Sequence, residues 1–245
     1  MANHALAVVE AALRARKLDR TLAFGRGEAC LAPTDACVAP TDISGLDTVL
    51  RGGLPRGQLS EIAGPRSSGR TTVLLQALAA ATRRGEVAAL VDTFDRLDVE
   101  SIGAAGVELD RLLWIRGVAG PVGRGPGAFL DRIIERALKA LALVLQAGGF
   151  GLVAIDLADA PVAALHRLPF TTWLRIQRMV EGSETACVLL APQPLARSAG
   201  GVTLALNGRP KWNATFLAGC DVTARVVSPR RHVDGTVVVG ARVRE

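Results

Sequence analysis

Between Leu59 and Thr82 the chain reads LSEIAGPRSSGRTTVLLQALAAAT. An apolar strand pattern enters a glycine- and serine-rich turn, and the turn leaves directly into a helix from Thr72 to Thr82 that directs Leu74, Leu75 and Leu78 towards a core. A second strand pattern, Val87 to Asp92, follows at once. Strand, helix and strand in this order describe two parallel strands joined by a crossover helix, which places the turn at the carboxyl edge of a sheet.

That turn has the composition of an anion cradle. Gly64 and Gly69 allow backbone N–H groups to curl around phosphate oxygens, and the helix N-terminus adds a favourable partial charge. Ser67, Ser68 and Thr72 supply further donors, and Thr71 stands where a hydroxyl holds magnesium. The spacing is that of GxxxxGK[ST] with one departure, Arg70 in place of lysine. Lysine is a compact point charge, whereas arginine is planar, longer and forked, and does not fit the same space without a shift. Binding of nucleotide and loss of it both remain compatible with these residues, while fast turnover is not expected.

The alternation continues downstream. Leu112 to Ile115 is a short strand, and GVAGPVGRGPG after it carries five glycines in eleven residues, the mark of a loop. Ala128 to Ala147 predicts a helix ending at Gly148. Leu152 to Ile155 predicts a buried strand closed by Asp156, Pro169 opens a helix with Trp173, Ile176 and Val180, and Ala186 to Ala191 forms the next strand. The apolar runs GVTLAL, ATFLAG, DVTARVV and TVVVGARV, separated by turns, predict an antiparallel finish. The expected class is α/β, a mostly parallel sheet flanked by helices with antiparallel strands at the C-terminal end. Before it, Leu6, Val9 and Leu13 share one side of a short amphipathic helix, an appendage suited to a partner surface.

Composition removes other classes. Hydrophobic residues make up 49% and charged residues 21% of 245, which excludes global disorder. The uncharged run Ala140 to Ile155 is short and broken by Gly148 and Gly149, so no membrane span is expected. MANHALAVVE has no basic leader, and a cytoplasmic location is expected. Cys30, Cys37, Cys187 and Cys220 form no CxxC pair, and His4, His166 and His232 have no metal spacing. The net charge of +6 gathers partly in the tail from Arg209, where seven basic residues face three acidic ones. No tyrosine is present, and Trp114, Trp173 and Trp212 are scattered, so no platform for stacking bases is evident.

The segment from Ser44 to Asp98, with GLDTVLRGGLPRGQLSEIAGPRSSGRTT and LVDTFDRLD, resembles the core of the RecA recombinase family. The likeness extends through LVAIDLAD and CVLLAPQPL and covers Thr41 to Val227. It divides the chain into an N-terminal helix and linker (1–40), a RecA-like phosphate-loop core (41–227) and a basic strand and tail (228–245). The resemblance implies ATP and Mg2+ as the cofactors of the turn. It further implies that Asp156 orients a magnesium-bound water, that Gln193 senses the terminal phosphate, and that Asp98 lies near adenine. It places Phe94 where the family has the glutamate that activates water. A phenylalanine accepts no proton, and loss of a general base costs about 10²- to 10⁴-fold in rate. The segment between Asp156 and Trp173 and the loop from Pro192 to Gly201 correspond to the family's two DNA-binding loops, and both are short.

Within that group the short chain, the altered phosphate loop and the lack of an extra C-terminal domain are most similar to ImuA, a set of RecA-like proteins of the damage-inducible (SOS) mutagenesis cassette. The likeness implies a non-recombinogenic accessory or scaffold in translesion DNA synthesis. Its implied partners are an ImuB-like Y-family polymerase homologue, an error-prone homologue of the polymerase III alpha subunit, and RecA itself. DNA binding would be weak or indirect, and the likeness to RecA-like proteins, whose N-terminal helix and strand pack on the neighbouring subunit, implies self-association or insertion at a RecA filament end for Met1 to Leu31. Two alternatives stand beside it: an active DNA-dependent ATPase of recombinational repair in which Asp95 or another acid replaces the lost glutamate, and a SulA-type inhibitor of cell division that binds FtsZ.

Overall fold

The computed structural model describes residues 38–118, 127–196, 200–214, 216–227 and 235–242. The amphipathic segment expected in the first thirty-one residues, most of the glycine-rich stretch after Gly117 and part of the basic tail lie outside them. A two-residue strand, β1 (Val38–Ala39), pairs antiparallel with β2 (Leu54–Pro55) around α1 (Ser44–Leu50). Then come β3 (Gln58–Ala63), α2 (Arg70–Arg83), β4 (Ala88–Asp92), α3 (Val99–Ala104), a single 3-10 turn (Leu109–Arg111) and β5 (Leu112–Arg116). The chain continues through α4 (Gly127–Ala147), β6 (Leu152–Asp156), α5 (Val162–His166), α6 (Phe170–Val180) and β7 (Ala186–Ala191). It ends in β8 (Thr203–Asn213), β9 (Phe216–Val227) and β10 (Gly235–Arg242).

Eight strands form one sheet in the order β10-β9-β8-β3-β7-β6-β4-β5. The run from β8 to β5 is parallel throughout, and β9 and β10 are added antiparallel. The α/β class with an antiparallel C-terminal edge is therefore as the sequence predicts. The central strands are buried on both faces, which is why they read as unbroken apolar runs and not as alternating ones.

Period two still sorts their side chains. Ile62, Ala88, Leu90, Ala154, Val188 and Leu190 face one layer with α2, α3 and α1, and Leu59, Ala89, Val91, Val153, Ile155 and Leu189 face the other with α4, α5 and α6. The result is a three-layer core with the carboxyl ends of β3, β4, β6 and β7 along one edge, where ligands of such sheets are held.

Two boundaries differ from the sequence reading. ATFLAG and DVTARVV form one twelve-residue strand, and β8 continues through Asn207, Gly208 and Pro210 where a turn is expected. Pairing of β8 with β3 ends at Ala205, so the rest of β8 is a ribbon bonded to β9 alone. On such an edge the missing N–H of Pro210 leaves no ladder bond unmade.

Candidate functional site

The phosphate-loop residues sit between the last residue of β3 and the first turn of α2, as the sequence predicts. Ser67 and Gly69 adopt positive φ, 59° and 87°, which folds the loop back over the helix start. A side chain at Gly69 would strike Val222 of β9, and one at Gly64 would strike the Leu206 carbonyl and Ser68, so the loop is packed against the β8–β9 ribbon. Ser68 is buried, and its hydroxyl has no hydrogen-bond partner among the described residues. A buried unpaired hydroxyl is costly, and an anion in the loop is one group that would satisfy it. Thr71 and Thr72 are exposed on the first turn of α2.

Arg70 does not point freely at such an anion. It is 7% exposed, and its Nη1 donates to the carbonyl of Ala191 at 3.0 Å and that of Ala158 at 3.3 Å. Loss of water around the guanidinium lowers its pKa, while Asp156 and Asp159 pull in the opposite direction. The cation that should meet phosphate is thus used to tie α2 to the ends of two neighbouring strands.

Asp156 and Asp92 are register partners at the ends of β6 and β4. Burial pushes the Asp156 carboxyl up to about 6, with further push from Asp92 and Asp159. The N–H of Ala158, bonded to it at 2.8 Å, and the charge of Arg70 act against that rise. Asp92 is structural. Its carboxylate accepts the N–H groups of Arg96 and Leu97, each at 2.9 Å, and the indole N–H of Trp114 at 3.3 Å.

These bonds shape the turn after β4. Phe94 is 3% exposed and packs into the cluster beneath α4, α5 and α6, whereas α2 belongs to the cluster on the opposite face. Asp95, at φ 54°, is held away by Arg116 in a two-pronged pair of 2.7 and 2.9 Å. Arg116 also lies over the Trp114 ring, 4.8 Å from its centre. The bond to Arg116 keeps the Asp95 carboxyl below its ordinary range, a poor setting for a base. Beside this turn a cavity of about 280 Å³, lined by Val91, Thr93, Ile115, Arg116, Ile133 and Arg136, opens against α4 and away from the phosphate loop.

The remaining expected residues separate. Asp98 is the N-cap of α3, accepting the N–H of Ser101 at 2.8 Å and its hydroxyl at 2.9 Å. Gln193 is half-buried and lies 2.6 Å from Nε2 of His166, so the segments after β6 and β7 meet through a histidine that spacing alone does not single out. Glu61 is likewise missed by sequence reasoning. Fully buried on β3, it accepts the N–H groups of Leu195 and Ala196 at 2.7 and 2.6 Å and the hydroxyl of Thr203 at 3.0 Å. One carboxylate thereby fastens both ends of the segment that follows Gln193. A lone glutamate inside an apolar strand, LSEIA, is the signal that was available.

Of the three tryptophans, Trp173 is core, Trp114 is half-buried and Trp212 is exposed at 64% on the β8–β9 ribbon. Burial pushes the Cys187 thiol up to about 12, which leaves it inert. Among the described residues no cluster of three or more His, Cys, Asp or Glu side chains is arranged to hold a metal. No described helix is long and apolar enough to cross a membrane.

Comparison with known proteins agrees with this geometry. The RecA N-terminal domain matches residues 23–165. Protein RecA of Salinispora arenicola is 36% identical over 209 residues, which cover 79% of this chain and 55% of the relative. Protein RecA of Clavibacter michiganensis is 35% identical over 159 residues, 61% of this chain and 40% of the relative. Protein RecA of Nostoc punctiforme reaches 53% over 68 residues, 28% of this chain and 19% of the relative. The chain thus spans about half or less of the length of the curated relatives it matches. With more than half of its residues inside the family's N-terminal domain, on a sheet of the matching class, this chain belongs to the RecA family.

Proposed function

We propose that this protein is a non-recombinogenic RecA-family accessory factor of DNA repair, acting in translesion synthesis as an ImuA-type scaffold. In this reading it works through contacts with an ImuB-like polymerase homologue, an error-prone polymerase III alpha homologue and RecA. The observation that carries it is the turn after β4: Phe94 is locked in the core and Asp95 is held by Arg116, so no described carboxylate there is free to activate water.

The phosphate loop fits a phosphate group, on the evidence of its positive-φ backbone and the unpaired Ser68 hydroxyl. Ser67, Ser68, Thr71 and Thr72 would hold ATP, with Thr71 and Asp156 towards Mg2+ and Gln193 towards the terminal phosphate. Bound ATP would supply a charged group beside Arg70, Asp156 and Gln193, whose contacts to the Ala191 and Ala158 carbonyls, the Ala158 N–H and His166 would be the ones to report it.

Phosphate release measured with single-stranded DNA, beside a pull-down with the ImuB-like protein, the polymerase homologue and RecA with and without ATP, tests the proposal. The expected result is capture of at least one partner with negligible turnover. Turnover comparable to a recombinase would overturn it and favour a DNA-dependent ATPase. The retained glycine framework of the phosphate loop supports that second reading, and in it the Asp95→Asn variant should lose hydrolysis.

A further inference from the structure

We propose that the outer face of α6, together with the start of α4, is a docking surface for an acidic, apolar-anchored segment of a partner protein. The inference goes beyond the scaffold reading and does not depend on it, because α6 covers the sheet face opposite to α2 and its phosphate loop.

Helix α6 is amphipathic in an unusual way. Trp173, Ile176 and Val180 fill the core, yet Phe170 and Leu174, one turn apart on another face, are 50% and 43% exposed. At the start of α4, Phe129 is 52% exposed. The Arg167–Asp131 ion pair, at 2.6 Å, joins the segment just before α6 to the first turns of α4, the stretch that carries Phe129. Exposed large apolar groups that share a helix face, as Phe170 and Leu174 do, mark an interaction site more often than isolated ones do.

The charge on α6 is one-sided. FTTWLRIQRMV contains Arg175 and Arg178 and no acid. Both arginines are exposed, and neither forms an ion pair with a described residue. Aromatic and arginine side chains together are the composition of an interface anchor. Two unpaired cations around apolar groups call for a partner that brings carboxylates and a hydrophobic knob. Nucleic acid fits less well, since Leu174 gives no stacking face.

The test uses the full-length chain and two synthetic amphipathic helical peptides with identical leucine faces, one carrying glutamates and the other lysines opposite them. Fluorescence anisotropy is expected to show the glutamate peptide binding about tenfold or more tighter than the lysine peptide. The Phe170→Ser/Leu174→Ser variant should lose about tenfold or more of that affinity, and Arg175→Glu/Arg178→Glu should reverse the charge preference. Because all four side chains are exposed, circular dichroism and thermal unfolding should be unchanged. Equal affinity for the two peptides, no binding of the glutamate peptide, or no effect of the variants would overturn the proposal. So would sedimentation showing self-association of the native chain that Phe170→Ser/Leu174→Ser abolishes, which would make the occupant a second copy.

Discussion

Arg70 donates a hydrogen bond of 3.0 Å to the carbonyl of Ala191, the last residue of β7 and two residues before Gln193. The same carbonyl also accepts the N–H of Gly64, 3.3 Å away. The beginning of the phosphate loop, the beginning of α2 and the strand leading to Gln193 therefore converge on one oxygen. In a chain that relies on phosphate to organise this edge, the cation would be committed to the ligand. Here it is committed to the protein, and the edge is held together by backbone oxygens.

Arg70→Ala should consequently destabilise the nucleotide-free protein by roughly 2 kcal/mol, since hydrogen bonds from a charged donor are worth about 1.5–3 kcal/mol each net and the burial cost of the guanidinium, removed with it, offsets part of the loss. Arg70→Lys should recover part of this, because the shorter ammonium keeps the charge and loses the fork. Urea unfolding without nucleotide makes the measurement. No change in midpoint for Arg70→Ala would mean that the residue serves only a ligand.

Phe94→Glu places a carboxyl where the resemblance to RecA puts a glutamate, and it should not confer hydrolysis. The side chain at this position enters the cluster with Leu157, Ala164, Leu165 and Ala196. Emptying such a site of an aromatic ring costs about 3–5 kcal/mol, and a buried carboxylate adds its own penalty. The expected outcome is a large drop in the unfolding midpoint with phosphate release still negligible. A stable variant with brisk turnover would show that the turn after β4 repositions easily.

The sheet was legible because its strands are short apolar runs bounded by turn residues, and because α2, α4 and α6 keep a helical period over several turns. Ala186 to Ala191 is the strand the sequence predicts, residue for residue. The phosphate loop was legible from glycine spacing. What the sequence did not disclose are relations across the fold. Glu61 stands 134 positions from Leu195, so its role as their fastening exists only once β3 and β7 lie side by side. The direction of Arg70 was hidden for the same reason, since its acceptors belong to β7 and the turn after β6. The Phe170 and Leu174 face was obscured because Trp173 and Ile176, their neighbours, satisfy the core by themselves.

Glu61→Ala should release the segment after Gln193. The change leaves two N–H groups, those of Leu195 and Ala196, without their acceptor, at about 1–3 kcal/mol for each unsatisfied donor. Glu61→Gln should be far milder, because the amide oxygen can still accept both bonds and Thr203 can turn its hydroxyl to accept from the amide nitrogen. Limited proteolysis is expected to cut Glu61→Ala after Gln193 well before the native protein or Glu61→Gln. Equal protection of all three proteins would remove Glu61 from this role.

Asp156 gives the protein a pH dependence of defined sign. Its carboxyl is pushed up to about 6 in the folded chain, from an ordinary value of 3.8. The folded state therefore holds the proton more tightly than the unfolded state does. Stability from this group is fully present below about pH 4 and is lost as pH rises through 6. A shift of this size corresponds to about 3 kcal/mol of lost stability at pH 7, at the order-of-magnitude level. Asp156→Asn removes the charge while its amide oxygen can still accept the N–H of Ala158. In metal-free buffer the variant should be more stable than the native chain at pH 7 by about 1–3 kcal/mol, the lower figure allowing for lost attraction to Arg70. At pH 4 the two proteins should unfold at nearly the same urea concentration. A variant that is less stable at pH 7 would mean that the ionised carboxylate is held by favourable contacts strong enough to outweigh its burial beside Asp92.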